Sequence, residues 1–493
     1  MTKLAIEPRT RTCALACLVY SSRDEMSQVS SPRRGLTASG FGAVPYLAVL
    51  VPPALVLACI VRFGVNVPFM DDWELQPLLA AWQTAHSPLP LAWGSYNDHR
   101  VFFPQLVLLA VALPTHWDTR AQMYVNFALA LLIFALLWLV LRLDRLDSRT
   151  RPWAAIALSL MVFTPAAWEA WTWAWMIQRY LGVAAVVAGL LLLSRWPGRW
   201  RSLLLAALLT VVASLSTVEG LAFWPAGAVA ILMLWGRRRI LWALAWLAMA
   251  AVAAIVYAAG YHHQADVGNF MSDVVHGRSI GNDVTFWTVY VGSWLGEGVA
   301  NLYNWAGYGL SVATGVVAAG LFGRMAIACF AVLVVAAVRT WPQHAQDWGP
   351  GIVLMVYVFI SATLAMIGRS TPVSLGLQSR YVLVSILAWV ALIVPAADLH
   401  SYLRSVSGTW RAGARAGIAL VAVFLLLNTW AMWLEARGQL QAHAAELRAA
   451  QVVLDSPAIE PDSPLAPLYP SLPVLRERVL QLRSWQGWSL RSQ

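Results

Sequence analysis

Apolar runs of about 17–25 residues recur along nearly the whole chain, and that recurrence limits the fold more than any other feature. Wound as a helix, a run of this length crosses a hydrocarbon core roughly 30 Å thick. Inside such a core every backbone N–H and C=O must be paired within the protein, which leaves helices or a closed barrel. Runs such as 128–143 lack the alternation of apolar and polar residues that a barrel strand carries, so helices are expected. Composition agrees: of 493 residues, 59% are hydrophobic and 12% charged, too little polar surface for a domain bathed in water.

The expected fold is all-α, a polytopic membrane bundle of about 11 transmembrane helices with juxtamembrane helices outside it. The spans fall at 41–63, 120–142, 153–168, 179–195, 202–217, 220–235, 240–260, within 308–338, and at 350–368, 381–397 and 416–434. A polar loop at 64–101 leads into an apolar stretch, 101–114, that is too short to cross and reads as interfacial or re-entrant, so the first external loop covers 64–119. A second long polar loop occupies 261–307. Residues 435–493 read as an external helical tail, and 1–40 as a disordered basic cytoplasmic tail, with Met26 an alternative start. Residues 41–434 then form the membrane domain.

Orientation follows from the basic residues. With the N-terminus inside, the inner loops are 142–151, 195–201, 237–239, 339–348 and 400–415. Together with the N-terminal tail they hold 20 of the 34 basic residues, whereas the outer loops and spans hold 8. The alternation runs through eleven crossings and puts the 64–101 loop, the 261–307 loop and the C-terminal tail outside. The net charge of +10 forms no contiguous stripe, so a nucleic-acid partner is not expected. Lys3 is the only lysine, an arginine bias that reads as a GC-rich bacterial genome. Cys13, Cys17, Cys59 and Cys329 have no spacing that suggests disulfides or zinc.

Three polar clusters stand out. Directly after the first span comes Met70-Asp71-Asp72-Trp73-Glu74, three carboxylates in four residues. Like charges this close raise one another's pKa, which suits a general base, or they share a divalent cation. A solvated acidic loop is the plain alternative. Later in the loop, Asn97-Asp98-His99-Arg100 enters the interfacial stretch, where an arginine either clamps a phosphate or snorkels to the headgroups. Between the spans 350–368 and 381–397, Arg369 and Ser379-Arg380-Tyr381 place two cations at the outer mouth, against the charge rule.

Together these motifs resemble the GT-C superfamily of integral-membrane glycosyltransferases. The likeness is to bacterial members with Met-Asp-Asp-Trp, then Asn-(Glu/Asp)-His-Arg, then a late Ser-Arg-Tyr, and it covers roughly 41–434. The resemblance implies a sugar taken from a polyprenyl-phosphate donor and passed to a glycan, lipid or protein acceptor at the outer face of a bacterial inner membrane. Residue by residue, it puts the catalytic pair on Asp71 and Asp72. Lipid-phosphate binding falls on His99, Arg100, Arg369, Arg380 and Tyr381, and sugar contacts on Trp73, Glu74, Asn97, Trp171 and Glu219. Asp71 and Asp72 would also hold Mg²⁺ or Mn²⁺ if the reaction uses one. Two departures are plain. Glu219 stands where an uncharged residue is expected, and the interfacial stretch has the single Pro104 where some branches have paired prolines.

Other signals have ordinary explanations beside functional ones. The run from Trp168 to Trp175 fits an aromatic belt, or else a sugar-stacking platform helped by Glu169 and Gln178. His262, His263, Asp266 and His276 have no regular metal-ligand spacing. A transporter or flippase of lipid-linked glycans is the main alternative function. It would bury ionisable groups near the midplane and show repeated halves, and neither is visible in the sequence. A ligase of O-antigen type would need key Arg and His residues in a large late loop, and the 369–381 loop is short and has no His.

Overall fold

The computed structural model describes residues 44–96, 99–261, 279–303, 312–340, 345–369, 372–405, 409–457 and 459–484. The chain divides into residues 1–44 and 45–493, and the second unit carries everything that follows. Its described residues are almost entirely helical and contain no strand.

The helices run in order as α1 (Val51–Phe63), α2 (Phe102–Thr115), α3 (Thr119–Val140), α4 (Arg151–Val162), α5 (Ile177–Arg195), α6 (Trp200–Ser214) and α7 (Phe223–Leu234). Then come α8 (Arg239–Ala258), α9 (Ile280–Tyr303), α10 (Val312–Thr340), α11 (Ala345–Arg369), α12 (Ser379–Val390), α13 (Ile393–Ser405), α14 (Thr409–Asp455) and α15 (Leu472–Arg483). Among the described residues, nine helical stretches are long and apolar enough to cross a membrane, so the chain is a multi-pass membrane protein. They match the expected spans except 202–217 and 220–235, which appear as the shorter helices Trp200–Ser214 and Val218–Leu234. The stretch after Arg100 is the short helix α2, as expected of a segment that does not cross.

One expectation changes. The 261–307 stretch was expected to be a long polar loop, yet α9 takes up most of its described part. Its Phe286, Val289, Tyr290, Ser293 and Trp294 recur at helical spacing and are all buried. Gly292 and Gly296 on α9 let its backbone meet α10 closely: a methyl on Gly292 would strike the Ala319 carbonyl, and one on Gly323 the Thr288 carbonyl. The last expected span, 416–434, and the following stretch lie in one helix. α14 continues unbroken for 47 residues, about 70 Å at 1.5 Å per residue, because no Gly-Pro or capping signal interrupts its Ala-, Leu- and Arg-rich run.

The loops collect at the two ends of the bundle. At one end Arg142 and Arg145 face Asp347 at 3.9 Å each, and the Trp348 indole donates to Asp398. At the other, the Thr119 N–H donates to Asn66, and the first loop packs on the tail. α3 links the two ends. The segments 142–151 and 339–348, both expected inside, therefore meet at one end, and the first loop and the tail, both expected outside, meet at the other.

Candidate active site

The acidic cluster is a 3₁₀ turn, Met70–Leu75, whose shape explains how its carboxylates differ. Met70 takes a positive φ of 48°, and its N–H is held by the Leu468 carbonyl at 2.7 Å. The Asp72 side chain folds back to cap the turn, its Oδ2 accepting from the Phe69 N–H at 3.0 Å. Asp72 is only 3% exposed, and its Oδ1 is buried with no hydrogen-bond partner. Burial pushes its carboxyl up to about 8, against the backbone N–H groups of Phe69 and Trp175 that favour the charged form, and Asp71 adds a smaller push upward. Asp71 itself is half-buried at the turn's open side.

The turn is wedged between two supports. Phe69 packs edge-on against Trp173 at 5.5 Å, and the Trp173 indole donates to the Phe69 carbonyl at 3.0 Å. Trp73 is fully buried against Trp117, with ring centroids 5.7 Å apart. From the tail, Arg478 donates to the Trp73 carbonyl at 2.9 Å and to Glu74 at 3.1 Å, and the Gln76 amide meets Gln481 at 2.6 Å.

A cationic group is reached through the segment that carries Trp173. The Glu169 carboxyl is largely withdrawn from water, and Arg380, Arg179 and Asp71 are the charged groups that act on it. Its backbone N–H donates to the Ser379 hydroxyl at 3.3 Å. Arg380 is half-buried and braced by the Gln378 amide oxygen at 2.8 Å. Tyr381 is buried with its ring between two guanidiniums, 4.8 Å from Arg179 and 5.9 Å from Arg380, and 5.1 Å from the Tyr290 ring. Arg179 is ion-paired to buried Glu219, which also accepts from the Thr217 hydroxyl.

Of the residues singled out in the sequence, Asp71, Asp72, Arg380 and Tyr381 are thus brought to one region. Others are engaged elsewhere. Arg100 is fully buried, with Nε on the Tyr257 carbonyl at 2.8 Å, one terminal nitrogen on the Ala259 carbonyl at 2.6 Å and the other on the Trp93 carbonyl. It stacks 4.6 Å over the Trp93 ring, clasping the first loop to the end of α8. Next to it, the His99 ring meets the Gln178 amide oxygen at 3.1 Å. Trp171 is buried, stacked on Phe163 and donating to the Thr164 carbonyl, so its ring has no open face for a sugar. Glu219 and Glu74 are committed to Arg179 and Arg478. Asn97, the side chain of Arg369, and His262, His263, Asp266 and His276 lie outside the described residues.

Among the described residues no three His, Cys, Asp or Glu side chains converge as metal ligands. Asp71 and Asp72 would supply only part of a divalent ion's oxygen shell, leaving the rest to a substrate phosphate and water. Sequence reasoning passed over Arg179, although an arginine two residues into a membrane helix is itself a signal. It also passed over the tail residues that hold the acidic turn, which carry no local signature. Compared with protein-family models, curated proteins and solved structures, the chain matches none.

Proposed function

We propose that this chain is a GT-C-type glycosyltransferase that moves a sugar from a polyprenyl-phosphate donor to an acceptor hydroxyl at the outer face of a bacterial inner membrane. The observation that carries the reading is that the stretch from Trp168 to Trp173 touches both motifs: its Glu169 N–H donates to the Ser379 hydroxyl beside Arg380 at 3.3 Å, and its Trp173 indole donates to the Phe69 carbonyl, two residues before Asp71, at 3.0 Å. An acid–base group and a cation able to meet a phosphate are thereby carried by segments that share one support.

In the reaction, Asp71 takes the proton of the acceptor hydroxyl, and the oxygen attacks the anomeric carbon. The bond from that carbon to the phosphate oxygen breaks, and the polyprenyl phosphate leaves with the electron pair and one more negative charge. Arg380 meets that charge, and a preorganised cation in a water-poor site is the kind of group whose loss costs about 10²–10³ in rate. Arg179 is already balanced by Glu219 and sets the Tyr381 ring under Arg380. Asp72 is mostly protonated near neutral pH, so it shapes the turn that presents Asp71. Arg100 keeps the first loop on α8 rather than gripping phosphate. A single displacement inverts the anomeric centre.

The test is glycan transfer in membranes carrying Asp71→Asn or Arg380→Gln, using a radiolabelled polyprenyl-phosphate sugar. Each variant is expected to lose about 10²-fold or more in rate; full activity in both ends the assignment. One observation favours the transporter reading instead. Glu297, in the second half of α9, has a buried side-chain oxygen that lacks a partner, and buried ionisable groups of this kind mark ion or substrate paths in transporters. A transporter would move the lipid-linked sugar across the membrane with its sugar–phosphate bond intact.

A further inference from the structure

The end of the bundle where Arg142 and Arg145 face Asp347 also carries a patch of arginine that the proposed reaction does not use. The join between α5 and α6 supplies Arg195, Arg199 and Arg201, and the join between α7 and α8 supplies Arg237, Arg238 and Arg239. A methyl on Gly349, two residues after Asp347, would strike the Leu234 side chain, which puts the second join at this end. The Trp235 indole donates to the Leu193 carbonyl at 2.8 Å, so the first join starts from the same point. Arg195 and Arg237 each follow that bond by two residues. Edge-on packing of Trp235 against Trp242, at 5.4 Å, holds the second join to the start of α8.

These charges are not balanced by the protein. Arg195 is half-buried and the other five are exposed. Among the described residues none of the six is ion-paired, and neither α6 nor α8 has a carboxylate in its first turn. Arg201 lies 5.5 Å over the Trp200 ring, and Arg239 donates to the Leu232 carbonyl at 3.3 Å. Such contacts hold a guanidinium in place but do not offset its charge. Cations crowded together in this way repel one another, so the balancing anion comes from outside the chain.

What surrounds the patch identifies that anion. Trp196 and Trp200 are 43% and 59% exposed, as indoles at headgroup level are. Beside them α6 turns Leu204, Leu205 and Leu208 outward, and α8 turns out Ile240, Leu241 and Leu244. The two helices are neighbours, and α8 buries only Ala243 and Trp246 of its 20 residues. A soluble anion would meet the arginines and leave these apolar faces bare, whereas a phospholipid covers both. A headgroup with one phosphate engages one join. Two phosphates linked through a glycerol engage both, one on each side of the Trp235–Leu193 bond.

We infer that the arginines of the two joins, with the outward faces of α6 and α8, form a site for an anionic phospholipid with two headgroup phosphates, a diphosphatidylglycerol. One phosphate rests on each join, and the acyl chains lie along the leucines. The site stands whether or not the chain transfers sugar. It seats the start of α8, whose far end clasps Arg100 and with it the first loop.

The test uses the full chain in uncharged detergent. Tetraoleoyl diphosphatidylglycerol, dioleoylphosphatidylglycerol, dioleoylphosphatidylcholine and inorganic pyrophosphate are titrated at equal phosphate. One readout is the thermal midpoint, which rises with a ligand that binds only the folded chain. The other is modification of arginines by phenylglyoxal, located by peptide mass spectrometry. Diphosphatidylglycerol is expected to raise the midpoint at the lowest phosphate concentration and to protect arginines of both joins, but not Arg437 or Arg448 on α14. Arg199→Gln/Arg201→Gln and Arg237→Gln/Arg238→Gln are each expected to raise its half-saturating concentration about tenfold or more. The charge-matched control Arg437→Gln/Arg448→Gln is expected to leave it unchanged. An equal response to phosphatidylglycerol overturns the inference, as does protection by pyrophosphate as strong as the lipid's or protection of one join alone. Parent-like half-saturation in either folded double variant overturns it too. The phenylglyoxal comparison is made on the parent chain, so it decides the matter even where a variant fails to fold.

Discussion

The Tyr469 hydroxyl donates to the Glu74 carboxylate at 2.6 Å, tying the end of the chain to the turn that carries Asp71 and Asp72. Arg478 joins the same carboxylate at 3.1 Å and stacks 4.9 Å over the Tyr469 ring. Tyr469→Phe removes one hydrogen bond and is expected to cost about 1 kcal/mol. Arg478→Met leaves Glu74 without its cation and also frees the Trp73 carbonyl, so it is expected to cost roughly 1–3 kcal/mol. Thermal unfolding in detergent measures both. Equal midpoints for Arg478→Met and the parent chain would mean that the tail does not brace the turn.

Asp72 predicts a pH dependence of stability. Its carboxyl sits at about 8 in the folded chain against an ordinary 3.8, so between those values the folded state holds a proton that the unfolded state has released. Its contribution is therefore most favourable in acid. It declines as pH rises through that window and levels off above about 8. Asp72→Asn mimics the protonated form and is expected to flatten this part of the midpoint-versus-pH curve. A variant with the same slope as the parent would show that Asp72 ionises normally.

The Arg179–Glu219 pair is buried on both sides, so removing one partner strands a charge. Arg179→Met and Glu219→Gln are each expected to destabilise by roughly 3–5 kcal/mol, and the double variant Arg179→Met/Glu219→Leu by less than their sum. A double-mutant cycle on thermal midpoints checks this. Additive losses would mean that the two residues do not act as a pair.

Close contact between α9 and α10 depends on the absence of side chains at Gly292 and Gly323. Gly292→Val is expected to force the helices apart and cost about 1–3 kcal/mol or more, with lower yield of monodisperse protein in detergent. Gly413→Val, where nothing lies near the added carbon, is the matched control and is expected to change little.

Most of the helical framework was legible because a membrane span announces itself through length and apolarity alone. α9 escaped because Asn282, Asp283, Glu297 and its glycines dilute the apolar signal; what makes it a helix in place is a buried stripe and a glycine seam against α10. Asp71 and Asp72 were legible as neighbours in sequence. Their division of labour was not, since it depends on which side chain folds back to Phe69. Arg100 shows the same limit from the other side. Its position marked it as a phosphate clamp or a headgroup anchor, and the structure gives it the carbonyls of Trp93, Tyr257 and Ala259 instead. The contacts of the Trp168–Trp173 stretch with Ser379 and with Phe69 join three distant segments and left no local trace.

Because Met70 is held by Leu468 and Glu74 by Tyr469 and Arg478, the acidic turn is translated early but completed late. Synthesis runs from the N-terminus, so these partners emerge from the ribosome only after nearly all the spans have been inserted. The acidic turn therefore takes its final form only after the spans before it are in the membrane, and a ribosome stalled just before α15 would leave an inserted bundle whose acidic turn is still unbraced.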